Sequence, residues 1–277
     1  MKYKVTSNSI EIEGKDDFVA KDILECGQIF AFIKTSTSYV VFSRDYKAEI
    51  VENKNGYKIL TDNPTYFENF FDLKTDYGKI KKILSDYEIL KKPIEFGKGI
   101  RILKQDLFET LISFIISANN NIKRIQLILF RLREKLGEKK DGYFAFPTQQ
   151  KLLEVDENFF KEIGAGYRAS YLYKVLRQVD ENTLEEWRSL PTQTLRNKLI
   201  ALSGVGPKVA DCVLLFGYGK QDVFPVDTWI EKMYCKFYKP LSNREKIREN
   251  LLSEFKNLSG YAQQYLFFSM REGENKN

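Results

Sequence analysis

The hydrophobic pattern of this chain changes near residue 100, and this change limits which folds the chain can adopt. Before that point, residues 39–42, 48–51 and 57–60 are short runs rich in β-branched and aromatic residues, a pattern typical of antiparallel strands. Residues 53–56 read Asn-Lys-Asn-Gly, which favours a turn because Asn and Gly tolerate positive φ. We therefore predict a small antiparallel sheet, followed by a helical stretch at about 78–90.

Beyond residue 105 the apolar residues follow a helical period. Leu111, Phe114 and Ile115 share one face of a helix that stops at the polar run 119–121. Gly, Pro and Asn breaks separate further helical segments, which we place at about 122–136, 148–162, 168–179, 181–188, 192–202, 208–216, 228–238, 243–256 and 260–271. We expect an α+β fold, with a small antiparallel β-sheet N-terminal domain (1–100) followed by a larger all-α domain (101–277).

The charge of the chain is uneven along its length. The 277 residues include 44 Lys and Arg and 38 Asp and Glu, a net charge of +6. Residues 1–100 carry 16 basic and 16 acidic side chains, whereas residues 101–277 carry 28 and 22, so the whole excess lies in the helical part. This favours an anionic partner such as nucleic acid, although an excess of this size is equally compatible with an ordinary solvated surface.

Missing residue types exclude several kinds of site. The sequence has no histidine, which excludes Ser-His-Asp and Cys-His nucleophilic sites and histidine-ligated metals. The three cysteines, Cys26, Cys212 and Cys235, are too few for a four-thiolate metal or iron–sulfur site. Any catalytic chemistry must therefore come from Lys, Asp, Glu, Tyr, Cys or Ser, and we expect no cofactor.

The same residues bear on the compartment. Sparse, odd-numbered cysteines argue against a disulfide scaffold. The N-terminus leads into a polar stretch rather than the apolar core of a signal peptide, and no apolar run approaches the length of a membrane span. We expect a monomer without a membrane partner, in a bacterial or archaeal cytoplasm near the nucleoid or, in a eukaryote, in the nucleus.

The segment at about 195–216 predicts a helical hairpin. One helix ends at Leu202, Gly204 and Gly206 form a tight turn, and Pro207 begins the next helix. The amides of such a turn and of the new helix point outward together and can hold a phosphate of a nucleic-acid backbone without reading bases. The alternative is an ordinary hairpin with a glycine turn.

Two charged residues follow this hairpin. Lys208 lies in the first turn of the second helix, where it can contact phosphate or, as a neutral amine, act as a nucleophile. Asp227 follows Pro225-Val226 at the start of another helix, where an aspartate commonly serves as an N-cap. Taken singly, each structural interpretation is at least as good as a catalytic one, but a Lys/Asp pair beside a DNA-binding hairpin favours catalysis.

These residues carry a resemblance to a known family. Residues 204–212 (GVGPKVADC) with residues 225–227 (PVD) resemble the helix-hairpin-helix DNA glycosylases that have a catalytic lysine, and within them the 8-oxoguanine DNA glycosylases. Further matching segments occur in family order and span nearly the whole chain: 27–30, 99–106, 117–122, 164–169 and 260–263. The resemblance implies a base-excision repair enzyme that removes 8-oxoguanine from duplex DNA and nicks the strand by β-elimination.

The resemblance also implies roles for the residues of the site. Lys208 would attack C1′ of the damaged nucleotide, while Asp227 would help to deprotonate it and stabilise positive charge on the sugar. The flipped base would be bound by four residues: Gly27, whose carbonyl accepts the N7 hydrogen, Gln263 on the pairing edge, and Cys212 and Phe267 on the two ring faces. Without the resemblance, Cys212 and Phe267 would be interpreted as helical core.

The other implied contacts are with the DNA duplex, which the resemblance predicts to carry 8-oxoguanine opposite cytosine. Asn119 would fill the space that the flipped base leaves, Tyr167 would act as a wedge, and Arg124 and Arg168 would contact the orphaned cytosine. The hairpin contacts would come from Gly204, Gly206 and Val209. No side-chain metal site is implied, but the backbone carbonyls of Ile200, Leu202 and Val205 are expected to hold a structural cation.

Two positions depart from the family pattern. Trp229 stands where the family often has a histidine, and Met270 replaces an aspartate that commonly accompanies it. Two other functions remain open at this point: a glycosylase of the same fold for alkylated or other oxidised bases, and a DNA-binding module without catalytic activity.

Overall fold

The computed structural model describes residues 1–274, and the first part of the chain forms a six-stranded antiparallel sheet. Its strands are β1 (Lys2–Val5), β2 (Ser9–Glu13), β3 (Phe32–Lys34), β4 (Ser38–Ser43), β5 (Tyr46–Asn53) and β6 (Gly56–Leu60), in the order β1-β2-β6-β5-β4-β3. The predicted turn at 53–56 closes the β5–β6 hairpin, where Asn53 pairs with Gly56. A Cβ on Gly56 would lie 2.1 Å from the carbonyl oxygen of Ile12, so no larger residue fits there.

The remaining elements are almost all helical. The first part of the chain contains α1 (Ala20–Leu24), α2 (Pro64–Phe70), α3 (Tyr77–Leu84) and α4 (Glu88–Phe96). The second part contains α5 (Leu107–Ser117), α6 (Ile122–Leu136), the short hairpin β7 (Lys139–Lys140) and β8 (Tyr143–Phe144), α7 (Gln149–Leu153), α8 (Glu157–Glu162), α9 (Arg168–Gln178), α10 (Glu181–Glu186), α11 (Thr192–Ile200), α12 (Pro207–Phe216), α13 (Thr228–Phe237), α14 (Arg244–Phe255) and α15 (Ser259–Glu274). None of the helices in residues 1–274 is long and apolar enough to cross a membrane.

The predicted α+β fold is confirmed, but two predicted helices were wrong in extent. The single helix expected at 148–162 is divided into α7 and α8, because Asp156 caps α8 by accepting a hydrogen bond from the Phe159 amide at 3.0 Å. The stretch at 78–90 likewise divides into α3 and α4, with an extended residue, Tyr87, before the second helix.

Three apolar cores hold these elements together. One lies among the helices α5–α12, and a second lies under the sheet. The third joins Leu90 and Ile94 of α4 to Ile230 of α13 and Leu266 of α15. The division of the chain at residue 100 therefore stays a prediction, since this third core takes residues from both sides of it.

A buried polar network fixes the loop after α1. The Gln28 side chain donates to the Arg101 carbonyl at 2.7 Å and accepts from the Leu103 amide at 2.9 Å. The fully buried Arg101 guanidinium donates to the carbonyls of Phe71 and Asp17 and to two others in the loop after α2. Side chains of distant segments thus hold the backbone next to Gly27.

We expect Arg101→Met to lower the free energy of unfolding by about 3 kcal/mol, because it leaves several buried carbonyls without a donor. Urea unfolding followed by circular dichroism measures this change. Lys98→Met is the matched control, since its ion pair with Asp16 is exposed and such pairs contribute roughly 0–1 kcal/mol. Equal losses in the two variants would contradict the structural role of Arg101.

Candidate active site

The predicted helical hairpin is confirmed as α11, a tight turn and α12. Gly204 has φ +80°, and a Cβ there would lie 2.6 Å from Cβ of Tyr171, so the turn requires glycine on two grounds. Gly206, in contrast, has no heavy atom within 4 Å of the place where a Cβ would stand. Its backbone is open to the approach of another molecule, as phosphate binding by the turn requires.

A cleft of about 1100 Å³ lies at the N-terminal end of α12. The predicted residues Gly27, Asn119, Lys208, Asp227 and Phe267 all line it. These positions span 240 residues of the sequence, so the fold brings together both strand-rich and helical parts of the chain at one surface.

Lys208 and Asp227 share the wall of this cleft. The half-buried Lys208 has its Nζ 5.2 Å from the centroid of the Phe114 ring. Asp227 caps α13, because its Oδ1 accepts hydrogen bonds from the amides of Trp229 and Ile230, both at 3.0 Å. Within residues 1–274 its other oxygen, Oδ2, accepts no hydrogen bond. Asp227 is therefore an N-cap with a spare carboxylate oxygen in the same cleft as an amine.

A small recess opens beside this pair, with room for about 30 Å³. Its lining includes all four residues predicted to bind the flipped base: Gly27, Cys212, Gln263 and Phe267. A recess of this volume holds about two waters, so a purine can enter only if part of the wall moves. Phe267 is half-buried, whereas Cys212 and Gln263 are 3% and 5% exposed, so Phe267 is the most exposed of the three side chains predicted to contact the base.

The uncharged polar side chains of the recess, Cys212 and Gln263, suit a ligand with hydrogen-bonding edges. Burial raises the pKa of the Cys212 thiol to about 11, so this side chain is uncharged at neutral pH. Gln263 donates from Nε2 to the Pro225 carbonyl at 3.4 Å, while its buried Oε1 has no partner within the described residues. An acceptor without a partner in the lining of the recess is available to a donor on a ligand.

Gly27 presents its backbone to the recess. Its φ is +82°, and a Cβ there would lie 2.6 Å from Nη1 of Arg271 and 3.0 Å from Cε1 of Phe267. The carbonyls on either side are already engaged: Cys26 by Gln264 at 2.9 Å and Gln28 by Gln105 at 2.7 Å. The Gly27 carbonyl accepts no hydrogen bond within residues 1–274, so it remains available as an acceptor.

The residues predicted to contact the opposite strand lie together at the turn after α5. Asn119 has φ +49°, an uncommon value for a residue other than glycine. The 56% exposed Tyr167 donates from its hydroxyl to the Ala118 carbonyl at 3.2 Å. The exposed Arg124 donates to the Gly164 carbonyl at 3.2 Å. Asn119, Tyr167 and Arg124 are thus all on the surface and close to one another.

Arg168 differs from its predicted partner Arg124. It is only 4% exposed, and its guanidinium donates to the carbonyls of Ala118 and Asn119, both at 2.7 Å, and of Ala165 at 3.3 Å. In this structure Arg168 holds the Asn119 turn in place rather than facing solvent. Its contact with a cytosine stays a prediction.

The remaining positions named from the sequence differ in burial and in whether they line the cleft. Val209 is 5% exposed, so its backbone rather than its side chain can contact DNA. Trp229 lines the cleft, and Met270 packs against the third core. Because both side chains are apolar, they cannot replace the polar pair of the family pattern. The Leu202 carbonyl accepts from the Val205 amide at 3.1 Å, and cation binding by Ile200, Leu202 and Val205 stays a prediction.

Sequence reasoning missed several residues that line the cleft. Arg196 and Arg248 do so, but both pair with the buried carboxylate of Asp211. Arg271 lines the cleft as well. Its position four residues after Phe267, on the same face of a helix, is the pattern that could have identified it.

Comparisons with known proteins show the family of this chain. A family model described as 8-oxoguanine DNA glycosylase, N-terminal domain, matches residues 10–111. A second, described as HhH-GPD superfamily base excision DNA repair protein, matches residues 112–257. The N-glycosylase/DNA lyase of Saccharomyces cerevisiae is 30% identical over 90% of this chain and 75% of its own length.

Solved structures are similar over almost the whole chain. The 8-oxoguanine glycosylase/lyase of Clostridium acetobutylicum, in complex with DNA that has cytosine opposite 8-oxoguanine, is 38% identical with a TM-score of 0.93, and the match covers 99% of both chains. A 3-methyladenine DNA glycosylase from Archaeoglobus fulgidus shares the fold at 18% identity and a TM-score of 0.75, over 94% of this chain and 98% of its own. The chain belongs to the helix-hairpin-helix superfamily of base excision DNA repair proteins and, within it, to the 8-oxoguanine DNA glycosylases.

Proposed function

We propose that this protein flips 8-oxoguanine out of duplex DNA, releases the base and then nicks the strand at the abasic site. The observation that carries the proposal is the position of Lys208 and Asp227 at a recess lined by four base-binding candidates. An amine and a carboxylate without a base recess would suit phosphate binding and capping only. The names of the relatives from yeast and Clostridium acetobutylicum support the same reaction.

The chemistry uses groups of this chain alone. The neutral Nζ of Lys208 attacks C1′ as the bond from C1′ to N9 of the base breaks, and the base leaves with the bonding electrons. Asp227 stabilises the positive charge that develops on the sugar and accepts a proton from the amine. The bond from C1′ to the ring oxygen then breaks, and the oxygen keeps the electron pair and takes up a proton, which leaves C1′ joined to Nζ of Lys208 as a protonated imine. Water removes a C2′ proton, the electrons of that bond form a double bond between C2′ and C3′, and the 3′ phosphate leaves with the electron pair of the C3′–O bond.

Base flipping requires the recess to open, and this constrains the order of events. Unstacking a nucleotide costs a few kcal/mol, and binding of the phosphate backbone by the hairpin offsets that cost. Movement of Phe267 away from Gly27 then admits the ring between Phe267 and Cys212. Lys208 and Asp227, which line both the cleft and the recess, meet the sugar at the boundary between the two.

A panel of duplexes tests the function. Single-turnover incubation with 8-oxoguanine, 3-methyladenine, oxidised pyrimidines and undamaged guanine separates this proposal from a glycosylase for alkylated or other oxidised bases. Fastest release of 8-oxoguanine, followed by nicking, supports the proposal. Binding to every duplex without release of any base would instead identify a DNA-binding module.

The opposite strand supplies a further prediction. Cytosine presents acceptors at O2 and N3, and arginine offers only donors, so the exposed Arg124 suits an orphaned cytosine and not the amino group of adenine. We expect faster excision opposite cytosine than opposite adenine. Because a good base contact is worth roughly 1–3 kcal/mol, Arg124→Ala should reduce this preference about tenfold and change the rate opposite adenine much less.

Arg131→Ala is the matched control for this variant. Arg131 lies on the same helix and donates to the neighbouring Ile163 carbonyl at 3.3 Å, so its loss removes the same charge without removing a base contact. Single-turnover rates opposite all four bases are the measurement. Equal wild-type rates opposite cytosine and adenine would show that Arg124 serves phosphate or structure instead.

A further inference from the structure

Arg271 combines burial, charge and a free donor in the wall of the cleft, next to Gly27 and Phe267, two residues that also line the base recess. The residue is 8% exposed, and its Nη1 is buried without a hydrogen-bond partner among the described residues. That nitrogen lies 2.6 Å from the place where a Cβ of Gly27 would stand. A buried, unsatisfied donor on a charged group is costly and rare in folded proteins. A ligand that enters the wall beside Gly27 can supply the missing acceptor.

The rest of the guanidinium is fixed. Nε of Arg271 donates to the Glu272 carboxylate at 3.0 Å, and Nη2 donates to the Glu25 carbonyl. The guanidinium carbon also lies 5.3 Å from the centroid of the Phe267 ring. Because two of its three nitrogens are held, the group cannot turn freely, and Nη1 is the nitrogen left for a molecule that enters from the cleft.

The cleft therefore has a donor, Nη1 of Arg271, next to Gly27, the residue whose carbonyl is available as an acceptor. 8-Oxoguanine has the complementary edge, since its N7 carries a hydrogen and the neighbouring O6 is an acceptor. Guanine has acceptors at both O6 and N7, so its N7 lone pair would face the Gly27 carbonyl. 8-Oxoadenine keeps the N7 hydrogen but has an amino group in place of O6, so that group would face the arginine donor.

We propose that Arg271 is a base-recognition residue whose Nη1 donates to O6 of the flipped 8-oxoguanine while the Gly27 carbonyl accepts its N7 hydrogen. This inference rests on the proposed function and adds a specificity determinant to the same recess. The fixed guanidinium distinguishes this contact from the bidentate arginine pairing with O6 and N7 of guanine. It gives the enzyme a means to separate 8-oxoguanine from other purines oxidised at C8.

Single-turnover excision of 8-oxoguanine and 8-oxoadenine, each placed opposite cytosine, tests the inference with the full-length protein. We expect wild-type protein to favour 8-oxoguanine. Arg271→Met should slow excision of 8-oxoguanine at least about tenfold, the effect of losing a hydrogen bond from a charged group. It should leave the excision rate of 8-oxoadenine within about twofold of wild type. The preference for 8-oxoguanine over 8-oxoadenine should therefore fall by about as much as the 8-oxoguanine rate does.

Gln264→Met is the control for loosening the same loop, because Gln264 holds the Cys26 carbonyl just as Arg271 holds that of Glu25. It should change the rates on both bases by one common factor. Arg271→Gln is a second variant in case Arg271→Met does not fold, since its shorter amide keeps a donor near the Glu25 carbonyl. The same fall in preference is expected from it.

Three outcomes would overturn the inference. A common factor on both bases in the Arg271 variants would show that Arg271 only supports the loop. Equal wild-type excision rates on 8-oxoguanine and 8-oxoadenine would show, without any variant, that the site does not discriminate between these two bases. A wild-type protein that releases another damaged base but not 8-oxoguanine would overturn the proposed function, and this inference with it.

Discussion

Lys208→Gln is expected to abolish covalent trapping of the protein on 8-oxoguanine DNA by borohydride. Borohydride reduces the imine between an amine and C1′, and glutamine cannot form that imine. Base release should fall by about 10⁴-fold or more, the order seen when a nucleophile is removed from an enzyme. Affinity for the duplex should persist, because the backbone of the hairpin at Gly204 and Gly206 is unchanged. Gel analysis of trapped complexes and a binding titration measure the two effects separately.

Lys123→Gln is the matched control for loss of a positive charge. Lys123 is exposed and lines the same cleft, so its replacement should weaken binding modestly through lost phosphate attraction and leave trapping intact. Trapping that persists in Lys208→Gln would assign the imine to another amine. Loss of trapping in both variants would indicate that binding, and not the nucleophile, limits the assay.

The β-rich first part and the helical second part of the chain could be predicted from sequence, because turns and helical periodicity depend on residues that are close together in the chain. The hairpin turn at 53–56 and the glycine turn at Gly204 depend on backbone conformation at single residues, which sequence reveals directly. Strands β1, β2 and β3 were missed, because Lys2–Val5 is largely exposed and Phe32–Lys34 has three residues. Such strands depend on pairing with distant neighbours and have little periodicity of their own.

In the site, too, features that depend on nearby residues could be predicted from sequence, and features that depend on distant segments could not. The position of Asp227 before a helix offered an N-cap as the alternative to catalysis, and its two cap bonds confirm the cap, while its catalytic role stays a prediction. The burial of Arg168 under the Asn119 turn and the free Nη1 of Arg271 were not predictable, since each depends on carbonyls from other segments. A sequence gives residue types, while the direction of a guanidinium depends on the fold around it.

Asp227→Asn is expected to slow base release by about 10²–10⁴-fold, the range for a positioned acid–base group, with affinity equal to wild type or better. Asparagine is as good an N-cap as aspartate, so its Oδ1 can still accept from the amides of Trp229 and Ile230. The variant therefore removes the negative charge and the proton acceptor while keeping the helix start. Loss of an anion near DNA phosphates also removes a repulsion, which is why binding should not weaken.

Two comparisons separate the catalytic role of Asp227 from its capping role. Asp180→Asn makes the same change at the N-cap of α10, where Asp180 accepts from the Thr183 amide at 2.7 Å, and it should alter neither rate nor affinity. Asp227→Ala removes both cap bonds and should lower the free energy of unfolding by about 1 kcal/mol in addition to slowing the reaction. Single-turnover rates with saturating enzyme, binding titrations and urea unfolding provide the three readouts. If a folded Asp227→Asn protein released 8-oxoguanine at the wild-type rate, the carboxylate would be a cap alone, and Lys208 would need another group to accept its proton.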